Sequence, residues 1–242
     1  MIKINKNNVI CEVIFVVEGR VDEANIIRDI FINLLGYKEI YYANDDTSIK
    51  KFKHHTLNMN KVLIVTHDYP QISNLNNAID EVLKNLIKNE IDYENMAMYF
   101  IYDRDRESNT TTETEKSILN FKNSRNNDGF LTNGMLLLSY PSIESIYFNQ
   151  KNLDKKFESG AEIKKHIDKS FKIEDLSKLT KNCIEIIKNL TNHELEIADV
   201  DDFSNLNLSI YKKEEENFKF NKLYVTLSLL MIAFIDLGII EL

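Results

Sequence analysis

Residues 11–23 read CEVIFVVEGRVDE, and the order of apolar and acidic residues in this stretch decides the fold class. The run CEVIFVV, 11–17, is apolar and β-branched, too short for a helix, and closed by Glu18-Gly19, so it predicts a buried strand. The following DEANIIRDIFINLLG places Ile27, Ile30, Phe31, Leu34 and Leu35 at helical spacing. Asp22 and Glu23 fall in the first turn, where carboxylates favour the helix dipole, and Gly36 supplies the stop.

The same alternation continues outward. EIYYA (39–43) reads as a short strand, a polar loop follows, and KVLIVTH (61–67) is a second buried-strand run. From Asn74 to Asn89, Leu75, Ala78, Ile79, Val82, Leu83, Leu86 and Ile87 share one helical face. MAMYFIY (96–102) predicts a strand ending directly in Asp103, a helix is expected near 113–124 with caps among Thr110–Thr112, and GMLLLSY (134–140) supplies another strand. Strands alternating with amphipathic helices imply an α/β fold, a mostly parallel sheet flanked by helices with right-handed crossovers. Beyond about residue 155 the segments 159–170, 174–190 and 218–238 read as helical. The expected division is therefore a domain over 1–152 and an α-helical C-terminal extension over 153–242, packed on the sheet and not an independent module.

A chain of 242 residues, 43% hydrophobic and 28% charged, fits one globular domain with an appendage. The formal net charge of -8 argues against a broad basic face, so any grip on nucleic acid is local, metal-mediated or supplied by a partner. Cys11 and Cys183 lack metal-ligand spacing and suit reduced thiols in a cytoplasmic protein. The N-terminus does not read as a signal peptide, because Glu12 breaks its apolar run. The most apolar segment, Leu223 to Ile235, falls short of the roughly 20 residues a membrane helix needs. It reads as a helix that is buried or at a subunit interface, and no membrane association is expected.

In a parallel α/β sheet, side chains at the carboxyl ends of strands converge on one edge, where ligands bind. Two predicted strands end in acid: VVEGRVDE places Glu18 at a strand terminus with Asp22 four residues on, and FIYDRDRE ends in Asp103. In an extended chain Asp103 and Asp105 project to one side and Glu107 continues the series. Clustered carboxylates repel one another unless a cation neutralises them, and hard Mg²⁺ or Mn²⁺ favours such oxygen ligands. DRDRE is equally readable as a solvated charge run with internal ion pairs, and strand-end acids also serve as helix caps.

At these residues the sequence resembles the Toprim family, the fold shared by bacterial primases, type IA and II topoisomerases, OLD-family nucleases and small ribonucleases that trim ribosomal RNA. The family's glutamate-glycine after a first strand stands here as Glu18-Gly19, and its Asp-x-Asp after a later strand as Asp103-Arg104-Asp105. The spelling VVEGRVDEANII is similar to the nuclease branch, which implies a metal role for Asp22, and Glu107 extends the later motif. LLLSYPSIESIYF (136–148) resembles the Pro-x-x-Glu segment of RloB-like Toprim proteins of phage defence, which makes Glu144 a candidate ligand; it also reads as a helix-start carboxylate after Pro141. The resemblance covers about residues 10–150.

It implies Mg²⁺- or Mn²⁺-dependent phosphodiester hydrolysis of a nucleic acid substrate, DNA or RNA, in phage defence. Asp103, Asp105 and Glu107 would hold one ion, Asp22 and Glu144 a second, and Glu18 would act as general base or ligand. A separate ATPase, another defence subunit or a second copy of the chain is the partner expected, since no Gly-x-x-x-x-Gly-Lys-Ser/Thr loop occurs. None of the 11 tyrosines stands in a topoisomerase-like motif, which favours hydrolysis over strand rejoining. Arg20, Arg104 and Arg106 either contact scissile-strand phosphates or pair with neighbouring acids. His67-Asp68 lies on the acidic side and reads as a turn ahead of Tyr69-Pro70 or, alternatively, as a substrate-positioning pair; His54-His55 reads as surface, and KKEEENFKFNK (212–222) as a solvated helix start. A non-catalytic sensor or assembly subunit, and a haloacid-dehalogenase-type phosphatase using Asp103, are the competing readings.

Overall fold

The apolar runs become strands because each of their side chains finds a packed neighbour on one face or the other. The computed structural model describes residues 2–18, 22–40, 48–93, 95–104, 110–125, 134–151, 155–168 and 171–242. Along them the chain forms β1 (Lys3–Ile4), β2 (Glu12–Val17), α1 (Asp22–Asp29) continuing into a π-helical turn (Ile30–Leu34), β3 (Tyr37–Ile40), β4 (Ile49–His54) and β5 (Lys61–Thr66). Then come a short 3₁₀ turn (Ile72–Asn74), α2 (Leu75–Lys88), β6 (Ala97–Asp103), α3 (Thr111–Asn120), β7 (Met135–Tyr140) and α4 (Ser145–Lys151). The last third holds β8 (Lys156–Phe157), α5 (Gly160–Lys165), α6 (Leu176–Thr191), α7 (Ile197–Asp201), α8 (Ser204–Asn221), β9 (Tyr224–Val225), β10 (Leu227–Ser228), α9 (Leu230–Asp236) and β11 (Ile240–Glu241).

The fold is α/β, with a seven-stranded sheet in the order β10-β7-β6-β2-β5-β4-β3. Its four central strands, β7, β6, β2 and β5, are mutually parallel, while β10, β4 and β3 join antiparallel. The central strands therefore end on one edge, with Val17 opposite both Thr66 and Ile101, and Asp103 opposite Ser139. Val13 to Val17 have no exposed surface. Phe15 stacks on Tyr99 at 5.2 Å and meets Phe31 and Phe234 on one face, while Phe100 meets Phe121 on the other. Each such buried side chain stabilises the fold by roughly 1.5–3 kcal/mol.

Several expectations change. Ile49–His54, read as loop, is a strand in which Phe52 and His54 are buried among lysines that stay at the surface side. His54, expected at the surface, is 2% exposed, and its Nδ1 accepts the N–H groups of Thr56 and Leu57. The segment 218–238 is not one helix: α8 ends at Asn221, two short strands follow, and only Leu230–Asp236 is helical again. The strand expected over 39–43 runs from Tyr37 to Ile40, and residues 41–43 lie outside the described residues.

The last third is not purely helical either. β10 extends the main sheet beside β7, β1 pairs with β11, and residues of α6, α8 and α9 belong to the same core as β2 and β6. Among the described residues no helix is long and apolar enough to cross a membrane.

Candidate functional site

Because β2 and β6 are adjacent and parallel, their ends bring Glu18 and Asp103 to one edge. Both line a cleft of about 710 Å³, whose far side comes from Glu158, Ser159, Gly160, Ala161 and Lys164 of the β8–α5 segment and from Phe218 and Tyr224. The ends of β2 and β6 thus meet the last third of the chain across this opening.

Asp103 is the electrostatic centre. Its Oδ1 accepts the N–H of Ile143 at 2.7 Å, in the turn between β7 and α4. Burial pushes its carboxyl well above the usual carboxylate range, and the charges of Glu144, Glu23 and Glu18 push it further, against the Ile143 hydrogen bond. Glu23 is raised too, first by burial and then by Glu144 and Asp22, against the N–H of its own backbone and Lys164. Glu23 was not among the residues singled out as ligands from sequence. The Asp22-Glu23 pair at the start of a helix was the available signal, but only the packing of α1 against the sheet selects which of the two turns inward.

Glu144 follows the β7 strand and is only 5% exposed. Its Oε2 accepts the Ser142 hydroxyl at 2.7 Å and its Oε1 lies 3.1 Å from Lys164 Nζ. That ammonium also donates to Asp22 Oδ2 at 2.9 Å, so a single lysine from α5 ties α1 to the turn before α4. Desolvation lowers the lysine's pKa, but the hydrogen bond to Asp22 and the charge of Glu144 outweigh it, leaving it above the ordinary value.

Beside Glu18, the ladder between β2 and β5 extends one step, with His67 N–H donating to Val17 O at 3.3 Å. His67 Nδ1 accepts the Tyr69 N–H at 3.1 Å, which leaves the ring proton on Nε2, 3.2 Å from the Tyr102 hydroxyl; that hydroxyl donates to Tyr69 O at 3.3 Å. Burial lowers His67 to about pKa 4, so the imidazole is neutral near pH 7. His67, read as a turn or a substrate-positioning residue, is thus buried and hydrogen-bonded through both ring nitrogens.

Arg104 is engaged by the protein's own side chains. Its side chain has no exposed surface, and its guanidinium pairs with Glu215 at 3.0 Å and donates to Tyr211 Oη at 3.3 Å, both on α8. The alternation of a strand explains this: Asp103 and Arg104 leave β6 on opposite sides. Its acidic partner is not a chain neighbour but lies 111 residues away, and Arg104 itself is among the residues lining the cleft. Arg20, Asp105, Arg106 and Glu107 lie outside the described residues.

The donor chemistry fits a hard divalent cation: a half-buried carboxyl that feels the charges of Glu144, Glu23 and Glu18 gains stability from a positive charge on oxygen ligands. Among the described residues, no three His, Cys, Asp or Glu side chains stand together as a formed metal-holding group. No family model matches this chain, and no curated protein or solved structure shows significant similarity to it.

Proposed function

We propose that this protein hydrolyses phosphodiester bonds of nucleic acid with Mg²⁺ or Mn²⁺ at the Glu18–Asp103 edge, as its Toprim-like motifs imply. The observation that carries this reading is the meeting of Glu18 and Asp103 at the ends of adjacent parallel strands, both lining a cleft large enough for a nucleotide-sized group. When bound, the metal lowers the pKa of a water and offsets charge on the phosphate.

The chain's own residues divide the remaining tasks. Asp103 is the central ligand, held in position by the Ile143 N–H. Glu18 accepts the proton of the attacking water or ligates directly, and the neutral His67 secures the end of the adjoining strand through Val17 without adding charge. Asp22 and Glu144 supply oxygens for a second ion, and Asp105 and Glu107 remain candidate ligands from the sequence pattern alone. Arg104 secures α8 through Glu215 and Tyr211.

Purified protein incubated with plasmid DNA and with RNA in Mg²⁺ or Mn²⁺ should cut at least one of them. Glu18→Ala and Asp103→Ala should each lower the rate at least ~100-fold, beyond the loss typical of a residue that merely supports a metal ligand. Cleavage that survives both substitutions, or absence of Mn²⁺ uptake by calorimetry with substrate present, overturns the proposal. Metal uptake with neither substrate cut returns the non-catalytic sensor reading.

A further inference from the structure

Lys164 occupies the gap between the two carboxylates assigned to a second ion, and it arrives there from the last third of the chain. Glu144 is almost fully buried, and Ser142 engages only one of its oxygens, so the other needs a positive neighbour. Lysine supplies that charge at 2.9 Å and 3.1 Å, distances for an ammonium and not for a hard ion, whose ligands sit about 2–2.6 Å away. An ammonium and a divalent ion cannot share these oxygens, because at about 3 Å their own repulsion would be large even in a polar site. The Lys164 side chain is 47% exposed and lines the cleft, so it can leave toward solvent without entering the core.

We propose that Lys164 is a displaceable internal cation, which holds the place between Asp22 and Glu144 in the metal-free protein and yields it to a divalent ion. The inference rests on the metal-site reading above and adds a competition to it. Loading of the second position then expels the ammonium into the cleft. There, at the end of a flexible four-carbon stem, it faces the opening through which a phosphate would enter. The last third of the chain thereby sets how much metal the acidic edge requires before it is filled.

Mn²⁺ titrations of the full-length protein by calorimetry test this directly, with melting curves in EDTA as a second readout. Lys164→Met should tighten Mn²⁺ binding roughly threefold to tenfold, the affinity equivalent of a half-exposed ion pair. It should also lower the melting temperature in EDTA, and Mn²⁺ should restore it; Lys164→Arg, which keeps the charge, should stay close to wild type in both. Lys164→Gln serves the same purpose if the methionine variant does not fold. Mn²⁺ uptake that is unchanged or weaker in the charge-removing variants overturns this inference while leaving the metal site intact. No uptake by wild type or by either charge-removing variant removes both, and uptake that appears only when the lysine charge is gone supports the competition.

Discussion

Asp103 and Glu214 are both carboxyls whose pKa the fold raises, burial first in each case. Around Asp103 the charges of Glu144, Glu23 and Glu18 add to it, whereas Glu214, on α8, is raised to about 8 with the N–H of Val225 at 3.0 Å opposing. The other oxygen of Glu214 and the hydroxyl of nearby Tyr140 have no hydrogen-bond partner among the described atoms. In the unfolded chain Glu214 ionises in the ordinary carboxyl range, while the folded chain keeps its proton to about pH 8. The unfolded state therefore binds fewer protons across that window, and stability falls as pH rises from about 4.5 to about 8. Glu214→Gln keeps an oxygen for Val225 and cannot ionise. It should be more stable than wild type by roughly 2–5 kcal/mol at pH 9 and nearly equal at pH 4. Urea denaturation at the two pH values checks this, and a substitution effect that is the same at both would rule it out. At this scale Glu18 and Asp103 were legible because a strand end next to acid is a pattern local in the chain. Glu23, Glu214 and the His67–Tyr102 pair were not, because burial of a polar residue depends on what packs over it.

The helix α8 is held to the sheet by the Arg104 side chain, which reaches Glu215 and lies 5.3 Å from the Tyr211 ring centroid. Breaking a buried pair strands its partner's charge, so Arg104→Met should cost roughly 2–4 kcal/mol, reduced from the fully buried case because Glu215 retains some exposure. Arg104→Lys should recover little of it, since a single ammonium cannot repeat the fork to Glu215 and Tyr211. Thermal melts of the two variants measure this, and a methionine variant as stable as wild type would refute the tether. The helix itself was hard to read because its buried side includes Ser204, Asn207 and Glu214, which break an apolar stripe. β4 was hidden for a related reason: in IKKFKH only Ile49, Phe52 and His54 turn inward, too few to outweigh the lysines.

Across the whole molecule, the last third completes what the first two thirds begin. β10 covers the β7 edge, β11 pairs with β1, and Phe234 of α9 packs on Phe15 in the central strand. Asn149 on α4 binds both the carbonyl of Thr226 and the N–H of Ser228, tying the two parts by backbone as well. A fragment ending at residue 152 exposes this apolar surface and an unpaired strand edge, so it should not fold, and the intact chain should unfold in one transition. Circular dichroism and tyrosine fluorescence of the intact chain should give coincident urea midpoints, and the fragment should lack dispersed amide resonances. A folded fragment, or two separated midpoints, would contradict this.

From sequence alone came the α/β class, the four central strands and the acidic ends that Glu18 and Asp103 provide, since all of these follow from short-range periodicity and from where an apolar run stops. Tertiary structure alone decided that Arg104 pairs with Glu215 of α8, that Lys164 crosses from α5 to sit between Asp22 and Glu144, and that Leu227–Ser228 joins the main sheet. Each of those contacts joins residues far apart in sequence. Their partners are chosen by packing and by the need to neutralise charge taken out of water, and neither leaves a spacing that can be read along the chain.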